Sequence, residues 1–235
     1  MPTLAFAQSL GDPLKDDALR GFLLSYARAA PPQTAREALL GLKLNAGQLH
    51  RSLVRLAQDY NDVGRFKAAA WLYRDLLNEA PRSAEAPLFQ ARLLGLTAIE
   101  GRRAAVVEQT LALKKTFTEV APSAEARDLT ERQLSALVVA WHRERPDVDV
   151  ENANRATDTL YSTYLELFPT GDKSYQLRFF RAEFAFGQLH DYRLAAELYT
   201  QVLMEDVGRE KPGRFMELAA YDAILAWDEL AKSGG

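Results

Sequence analysis

The sequence contains no cysteine, and only three of its 235 residues are histidine. Without cysteine, the chain cannot form disulfides, thiolate zinc sites or cysteine nucleophiles. The histidines, His50, His142 and His190, lie far apart in the sequence, and no two of them have the i, i+4 spacing of a helical metal site. The sequence therefore predicts no metal centre and no cofactor, and it favours surface or capping roles for the histidines.

Long apolar runs and a strong excess of one charge are also missing. No stretch approaches the roughly 20 apolar residues that a membrane helix needs, so we predict no direct membrane span. Lysine and arginine total 29 against 32 aspartate and glutamate, which gives a net charge of −3. This near balance argues against binding to nucleic acid or anionic lipid through bulk charge.

Sequence signatures of catalysis are missing as well. The 13 glycines form neither a dinucleotide-binding GxGxxG nor a P-loop, and no GxSxG is present. Adjacent acidic residues, such as Asp16-Asp17, suit the first turn of a helix better than a catalytic pair, which needs an enclosed cleft. We therefore predict that the protein is not an enzyme and that a small-molecule ligand is disfavoured.

Helix-forming sequence, in contrast, is abundant. Apolar residues make up 48% of the chain and recur at three- and four-residue spacing along most of it. Pro81, Pro122 and Pro169 each follow a helical run, and Gly64 and Gly101 fall where a left-handed turn residue is needed between helices. We predict an all-α fold of about eleven helices, over residues 13–29, 34–44, 47–63, 66–79, 84–99, 102–119, 124–144, 152–168, 173–188, 192–205 and 213–231.

One spacing pattern occurs twice and indicates helix-turn-helix repeats. The first copy, in the segment YNDVGRFKAAAWLYRDLLNEAP, consists of Tyr60, Gly64, Phe66, Ala69, Tyr73, Leu76 and Pro81. The second consists of Phe186, Tyr192, Ala195, Tyr199 and Val202. The small residue, Ala69 or Ala195, lets two helices approach closely, and the aromatic residue, Tyr73 or Tyr199, fills the gap toward the next pair. Stacked pairs then bury one continuous core that no pair could bury alone.

These residues resemble the tetratricopeptide repeat (TPR) motif. The resemblance implies helix-turn-helix repeats stacked into a right-handed superhelix, an α-solenoid, as a single domain over 13–231. The best repeats cover 50–83 and 176–209. Helix 213–231 is predicted to be a cap that packs through Phe215, Leu218, Ala219, Ile224 and Trp227.

We expect the two ends of the chain to lie outside this domain. Residues 1–12 are predicted to be a disordered tail, and residues 232–235 are predicted to be frayed. Ala5-Phe6-Ala7 fits a signal-peptide cleavage site, although the charged start and longer apolar run of a full signal are missing. A signal-peptide stump is therefore the alternative to a disordered tail.

Two longer segments, LYSTYLELFPTGDKSYQLRFFRAEFA and AAYDAILAWDEL, resemble a narrower group, the TPR proteins of bacterial envelopes. These include the outer-membrane assembly lipoprotein, the Tol-associated division coordinator and the gliding-motility TPR proteins of myxobacteria. The resemblance implies a periplasmic or envelope-associated scaffold whose partners are other proteins of an envelope complex. A cytoplasmic location is the alternative.

The first helices of TPR pairs line a concave groove, where this family binds other proteins. The resemblance places seven candidate partner-binding residues there: Arg51, Val54, Gln58, Asn61, Leu177, Phe180 and Phe184. Phe180 and Phe184, one turn apart, could anchor an apolar helix or an extended peptide unless the final helix packs over them. The predicted function is a non-enzymatic protein-interaction scaffold, and the alternative is a peptide- or ligand-binding sensor with a single pocket.

Overall fold

The structure, a computed structural model, describes residues 12–144, 146–207 and 210–233. Within these residues the chain forms eleven α-helices and no strand, which confirms the predicted all-α fold. The helices are α1 (Asp12–Ala29), α2 (Ala35–Leu40), α3 (Ala46–Asp62), α4 (Phe66–Glu79), α5 (Ala86–Ile99), α6 (Arg103–Glu119), α7 (Ala124–Arg143), α8 (Val150–Leu167), α9 (Ser174–Phe184), α10 (Tyr192–Asp206) and α11 (Met216–Lys232). A 3-10 turn (Pro32–Thr34) precedes α2, and a π-helical turn (Ala185–Leu189) follows α9.

The helix ends follow the sequence punctuation closely. Helices α4, α6 and α8 all stop two or three residues before Pro81, Pro122 and Pro169. Gly64 and Gly101 take the predicted left-handed backbone, with φ of 77° and 73°. Those predictions are confirmed.

Three predicted helices differ from the observed ones by three or more residues at one end. The helix predicted over 173–188 is α-helical only as far as Phe184 and continues as the π-helical turn. The helix predicted over 34–44 is limited to the six residues of α2, because the chain turns after Leu40 and Lys43 takes a left-handed φ of 56°. The last helix begins at Met216 instead of residue 213, after a loop that contains Pro212 and Gly213. Lys232 is its last residue. The predicted tail 1–12 lies outside the described residues except for Asp12, and so do residues 234 and 235.

The chain divides into two compact units. Unit 1 contains residues up to Gly101 together with 116–123, and unit 2 contains residues 102–115 and 124 onward. The prediction of a single domain over 13–231 stays a prediction.

In unit 1, α3 and α4 form a hairpin on which α1, α2 and α5 pack. Ala57 and Ala69, one from each hairpin helix, are fully buried. The ring of Tyr73 lies 5.7 Å from that of Phe89 on α5. Tyr73 therefore fills the space between the hairpin and the next helix, as the sequence predicted.

Helix α1 is attached to this hairpin through its C-terminal carbonyl groups. Tyr60 donates a hydrogen bond to the carbonyl of Ala30 at 2.9 Å. Arg65 donates to the carbonyls of Ala27 and Ala30 at 2.8 and 2.7 Å. Carbonyls in the last turn of a helix have no partner within it, so these bonds satisfy groups that would otherwise need water. Burial raises the pKa of Tyr60 to about 12.

In unit 2, α7 to α11 pack in sequence order, each helix against the next. The π-helical turn lies between α9 and α10. Ala195 and Tyr199 on α10 are buried, and the Tyr199 ring lies 5.8 Å from that of Phe179 on α9. An ion pair between the buried Arg178 on α9 and the half-buried Glu205 on α10 joins the same two helices. Burial lowers the pKa of Arg178. The second repeat-like hairpin, like the first, thus combines a buried alanine with a buried aromatic residue.

We predict that Ala69→Leu destabilises the protein by about 1–3 kcal/mol, because a larger side chain cannot fit between two close helices without moving them. Arg74→Leu introduces the same side chain on the exposed side of the same helix and should change stability by less than about 0.5 kcal/mol. Urea denaturation followed by circular dichroism measures both. Equal effects of the two substitutions would contradict close packing at Ala69.

Candidate protein-binding surface

The candidate residues on α3 lie along one face of that helix in unit 1. Arg51 is exposed, whereas Val54, Gln58 and Asn61 are half-buried. Val54 packs against the core of the unit. These four residues are therefore partly available to a partner, and their role in binding stays a prediction.

The candidate residues on α9 belong mostly to the core. Leu177 is 1% exposed and Phe184 is 3% exposed. The Phe184 ring lies 5.8 Å from that of His142 on α7 and 6.0 Å from that of Tyr161 on α8. Assigning Leu177 and Phe184 to an open groove is therefore wrong, because both side chains are buried and rings of α7 and α8 cover Phe184.

Phe180, the third of these residues, is half-buried between two other rings. Its ring stacks on that of His142 at 5.6 Å and meets that of Phe215 edge-on at 5.8 Å. Phe215 directly precedes α11, so the start of the last helix covers Phe180. The sequence left this possibility open, and it is the arrangement that the structure has.

Among the described residues, the largest group of exposed large apolar side chains lies instead on α11. This helix packs on α10 through Ala219, Ala223 and Ala226, all of which are buried. Its large apolar side chains point away from this contact: Leu218, Tyr221, Ile224 and Trp227 are 55%, 64%, 69% and 46% exposed, and Leu225 is also exposed. We call these five residues the α11 surface.

This arrangement corrects the predicted packing of the last helix. Phe215 and Ala219 are buried as expected, but Leu218, Ile224 and Trp227 are not. Ala219, Ala223 and Ala226 have the four- and three-residue spacing of a helical face, and their small size allows close contact with α10. That alanine spacing was the signal that could have revealed which face is buried.

A polar cluster centred on the carboxylate of Asp206 positions the start of α11. Asp206, at the end of α10, is buried and accepts hydrogen bonds from the Tyr175 hydroxyl at 2.6 Å and the Gly213 amide at 3.0 Å. The Phe215 ring stacks on that of Phe179 at 4.4 Å. These contacts anchor Gly213 and Phe215, just before α11, so the α11 surface is presented from a fixed position.

Acidic groups lie beside the α11 surface. Tyr199 donates a hydrogen bond to Glu183 on α9, and burial together with this bond raises the pKa of the tyrosine. Burial, and then the nearby charge of Glu183, raise the pKa of Asp222 on α11. Two carboxyl groups from neighbouring helices thus lie near one edge of this surface.

The histidines take separate structural positions. His50 lies 2.5 Å from a Glu85 oxygen, and Nδ1 of His142 lies 2.8 Å from the Tyr161 hydroxyl. His190 ends the π-helical turn with a left-handed φ of 54°. In the parts of the chain that the structure describes, no three potential metal-ligating side chains lie together.

A shallow groove of 690 Å³ lies in unit 1. Much of its lining is apolar and consists of Pro32, Phe66, Trp71 and Ile99. The basic residues Arg65 and Lys67 also line it. The groove could accept an apolar group.

None of the described helices has both the length and the apolar character needed to cross a membrane.

In comparisons with known proteins, no protein-family model and no curated protein matches the chain.

We predict that Phe184→Ala and Ile224→Ala have very different effects on stability. Removing the buried ring should destabilise the protein by about 3–5 kcal/mol, because it leaves a cavity in the core. Removing the exposed isoleucine side chain should change stability by less than about 0.5 kcal/mol. Thermal and urea denaturation measure both. A well-folded Phe184→Ala variant of unchanged stability would contradict the assignment of this residue to the core.

Proposed function

We propose that the protein is a non-enzymatic helical-repeat scaffold of the TPR type that binds another protein through the α11 surface. The observation that carries the proposal is the exposure of five large apolar side chains on the half of an anchored helix that faces away from its buried alanines. Clustered exposed apolar residues, as opposed to scattered ones, are typical of protein-binding surfaces.

The residue types support the same proposal. Tyrosine and tryptophan, here Tyr221 and Trp227, contribute disproportionately to binding energy at protein interfaces. Among the described residues, the side of α11 that faces away from α10 is largely apolar, as expected of a surface that another chain covers.

The resemblance to envelope TPR proteins supports a wider role in a bacterial cell-envelope assembly, with motility or envelope biogenesis as candidate processes. The near balance of charge supports protein partners over nucleic acid. The periplasmic or envelope location follows from the resemblance alone.

The second candidate function is a sensor module that binds a peptide or a ligand in a single pocket, for which the groove beside Trp71 is the site to test. The two functions differ in what stabilises the protein. Saturable thermal stabilisation by a small molecule, lost in a Trp71→Ala variant, would favour the sensor.

Site-specific photo-crosslinking tests the scaffold function. A photoreactive phenylalanine analogue is placed at Tyr221 or Trp227 and, as controls, at the exposed residues Met204 on α10 and Arg74 on α4. In cells of the source organism, we expect one protein to be crosslinked from both α11 positions and from neither control, because only the α11 positions lie in the proposed contact. Equal crosslinking from all four positions, or none from α11, would count against the function.

A further inference from the structure

The charged residues of α11 are almost all of one sign. Between Arg214 and Lys232 the helix carries four acidic residues and no basic one: Glu217, Asp222, Asp228 and Glu229. Lys232 is itself paired, since its ammonium group lies 2.6 Å from an Asp228 oxygen and 2.8 Å from a Glu229 oxygen. The exposed side of α11 therefore combines large apolar side chains with negative charge.

Helix geometry places the acidic residues along and beside the apolar ones. Glu217, Tyr221, Ile224 and Asp228 follow one another at four-, three- and four-residue spacing and so share one face. Glu217 and Asp228 are exposed and lie at the two ends of this row, about 16 Å apart at ~1.5 Å per residue. Asp222, with Glu183 of α9 close to it, borders the side of the surface that contains Leu218.

The spacing of the apolar residues fits a docked helix. Ala220, Ile224, Trp227 and Ala231 have four-, three- and four-residue spacing, which produces a second row beside the first. The two alanines leave hollows on either side of the isoleucine and tryptophan, and side chains of another helix can fill hollows of this kind. Since α11 presents side chains and no free strand edge, strand addition is excluded at this surface.

We propose that the α11 surface binds a basic amphipathic helix of another protein, one with an apolar stripe bordered by lysine and arginine. The inference rests on the proposed scaffold function and adds the chemistry of the partner. The apolar stripe packs on Ile224 and its neighbours, and the basic residues meet Glu217, Asp228 and the Asp222–Glu183 edge. Charge complementarity of this kind selects partners and speeds their association.

The same charges argue against two other occupants. A second copy of α11 would bring its four acidic residues against the same four, and like charges facing one another oppose association. An anionic lipid surface attracts basic segments and repels acidic ones. The negative charge of this surface therefore disfavours both a homodimer through α11 and binding to an anionic membrane.

Binding of synthetic peptides to the full chain tests the proposal. Three fluorescently labelled peptides of about 18 residues are compared: a helical Leu/Lys peptide with an apolar stripe, a Leu/Glu peptide with the same stripe, and a scrambled Leu/Lys peptide that lacks it. We expect the striped Leu/Lys peptide to bind at least about tenfold more tightly than the other two. Raising the salt concentration from roughly 50 to roughly 500 mM should weaken its binding several-fold, because the rim charges are screened.

Two variants locate the binding. Ile224→Asp should lower the affinity for the striped Leu/Lys peptide by about tenfold, although it adds a negative charge that would strengthen non-specific attraction to a basic peptide. Met204→Asp, the same kind of change at an exposed residue of α10, should leave the affinity unchanged. Replacing Glu217 and Asp228 together by lysine should shift the preference toward the Leu/Glu peptide.

Several results would overturn the inference. They are equal binding of the Leu/Lys and Leu/Glu peptides, loss of affinity in the Met204→Asp variant alone, or no peptide binding at all. Dimerisation that Ile224→Asp abolishes, or binding to phosphatidylserine vesicles that the same variant abolishes, would replace it with another occupant. If a different protein is still crosslinked from α11 in any of these cases, the scaffold function survives and only the basic-helix partner is rejected.

Discussion

Close approach of helices through alanine is the constraint on which the rest of this structure depends. Ala57 and Ala69 lie in the core of the first hairpin, and Ala195 lies in the core of the second. Ala219, Ala223 and Ala226 form the contact between α10 and α11. Small side chains let two helix backbones come near each other, so that a large ring beside the contact can reach the next helix. Tyr73 touching Phe89 and Tyr199 touching Phe179 are examples of this arrangement. Close packing density makes the arrangement sensitive to added volume, because the interior has few voids that could absorb it.

The same constraint determines what α11 shows to solvent. A helix that packs through alanine has no room on that side for its larger apolar residues, which therefore point outward. In the hairpins within each unit the next helix covers such residues, as α5 covers Tyr73. At α11, no other helix among the described residues covers Tyr221 and Ile224. The exposed surface is thus a consequence of the way in which the other helices of the unit are packed, and Asp206 and Phe215 hold it in place.

Sequence reasoning predicted the parts of the fold that depend on local signals. Prolines and left-handed glycines defined the helix ends, and the spacing of Ala69 with Tyr73 and of Ala195 with Tyr199 identified the packed faces. It could not predict which face of α11 is buried, because both faces of that helix are apolar and periodicity does not distinguish them. It left open that the final helix covers Phe184, but it could not predict the residues that do so, His142 and Tyr161, because they come from helices distant in the sequence. The candidate site therefore moved from α9 to α11 for reasons that only tertiary contacts supply.

A single helical face limits how tightly a partner can bind. The acidic residues beside it are therefore important for the choice of partner. Burying a large apolar side chain such as Ile224 contributes at most about 1.5–3 kcal/mol, and association must first offset the loss of translational and rotational freedom. Many amphipathic helices could supply the apolar contacts, so these contacts select poorly among partners. Glu217 and Asp228, at opposite ends of the same row, favour a partner with basic residues at matching positions and disfavour acidic ones. Affinity on the α11 surface then comes mainly from the apolar residues, and the choice of partner comes mainly from the carboxylates.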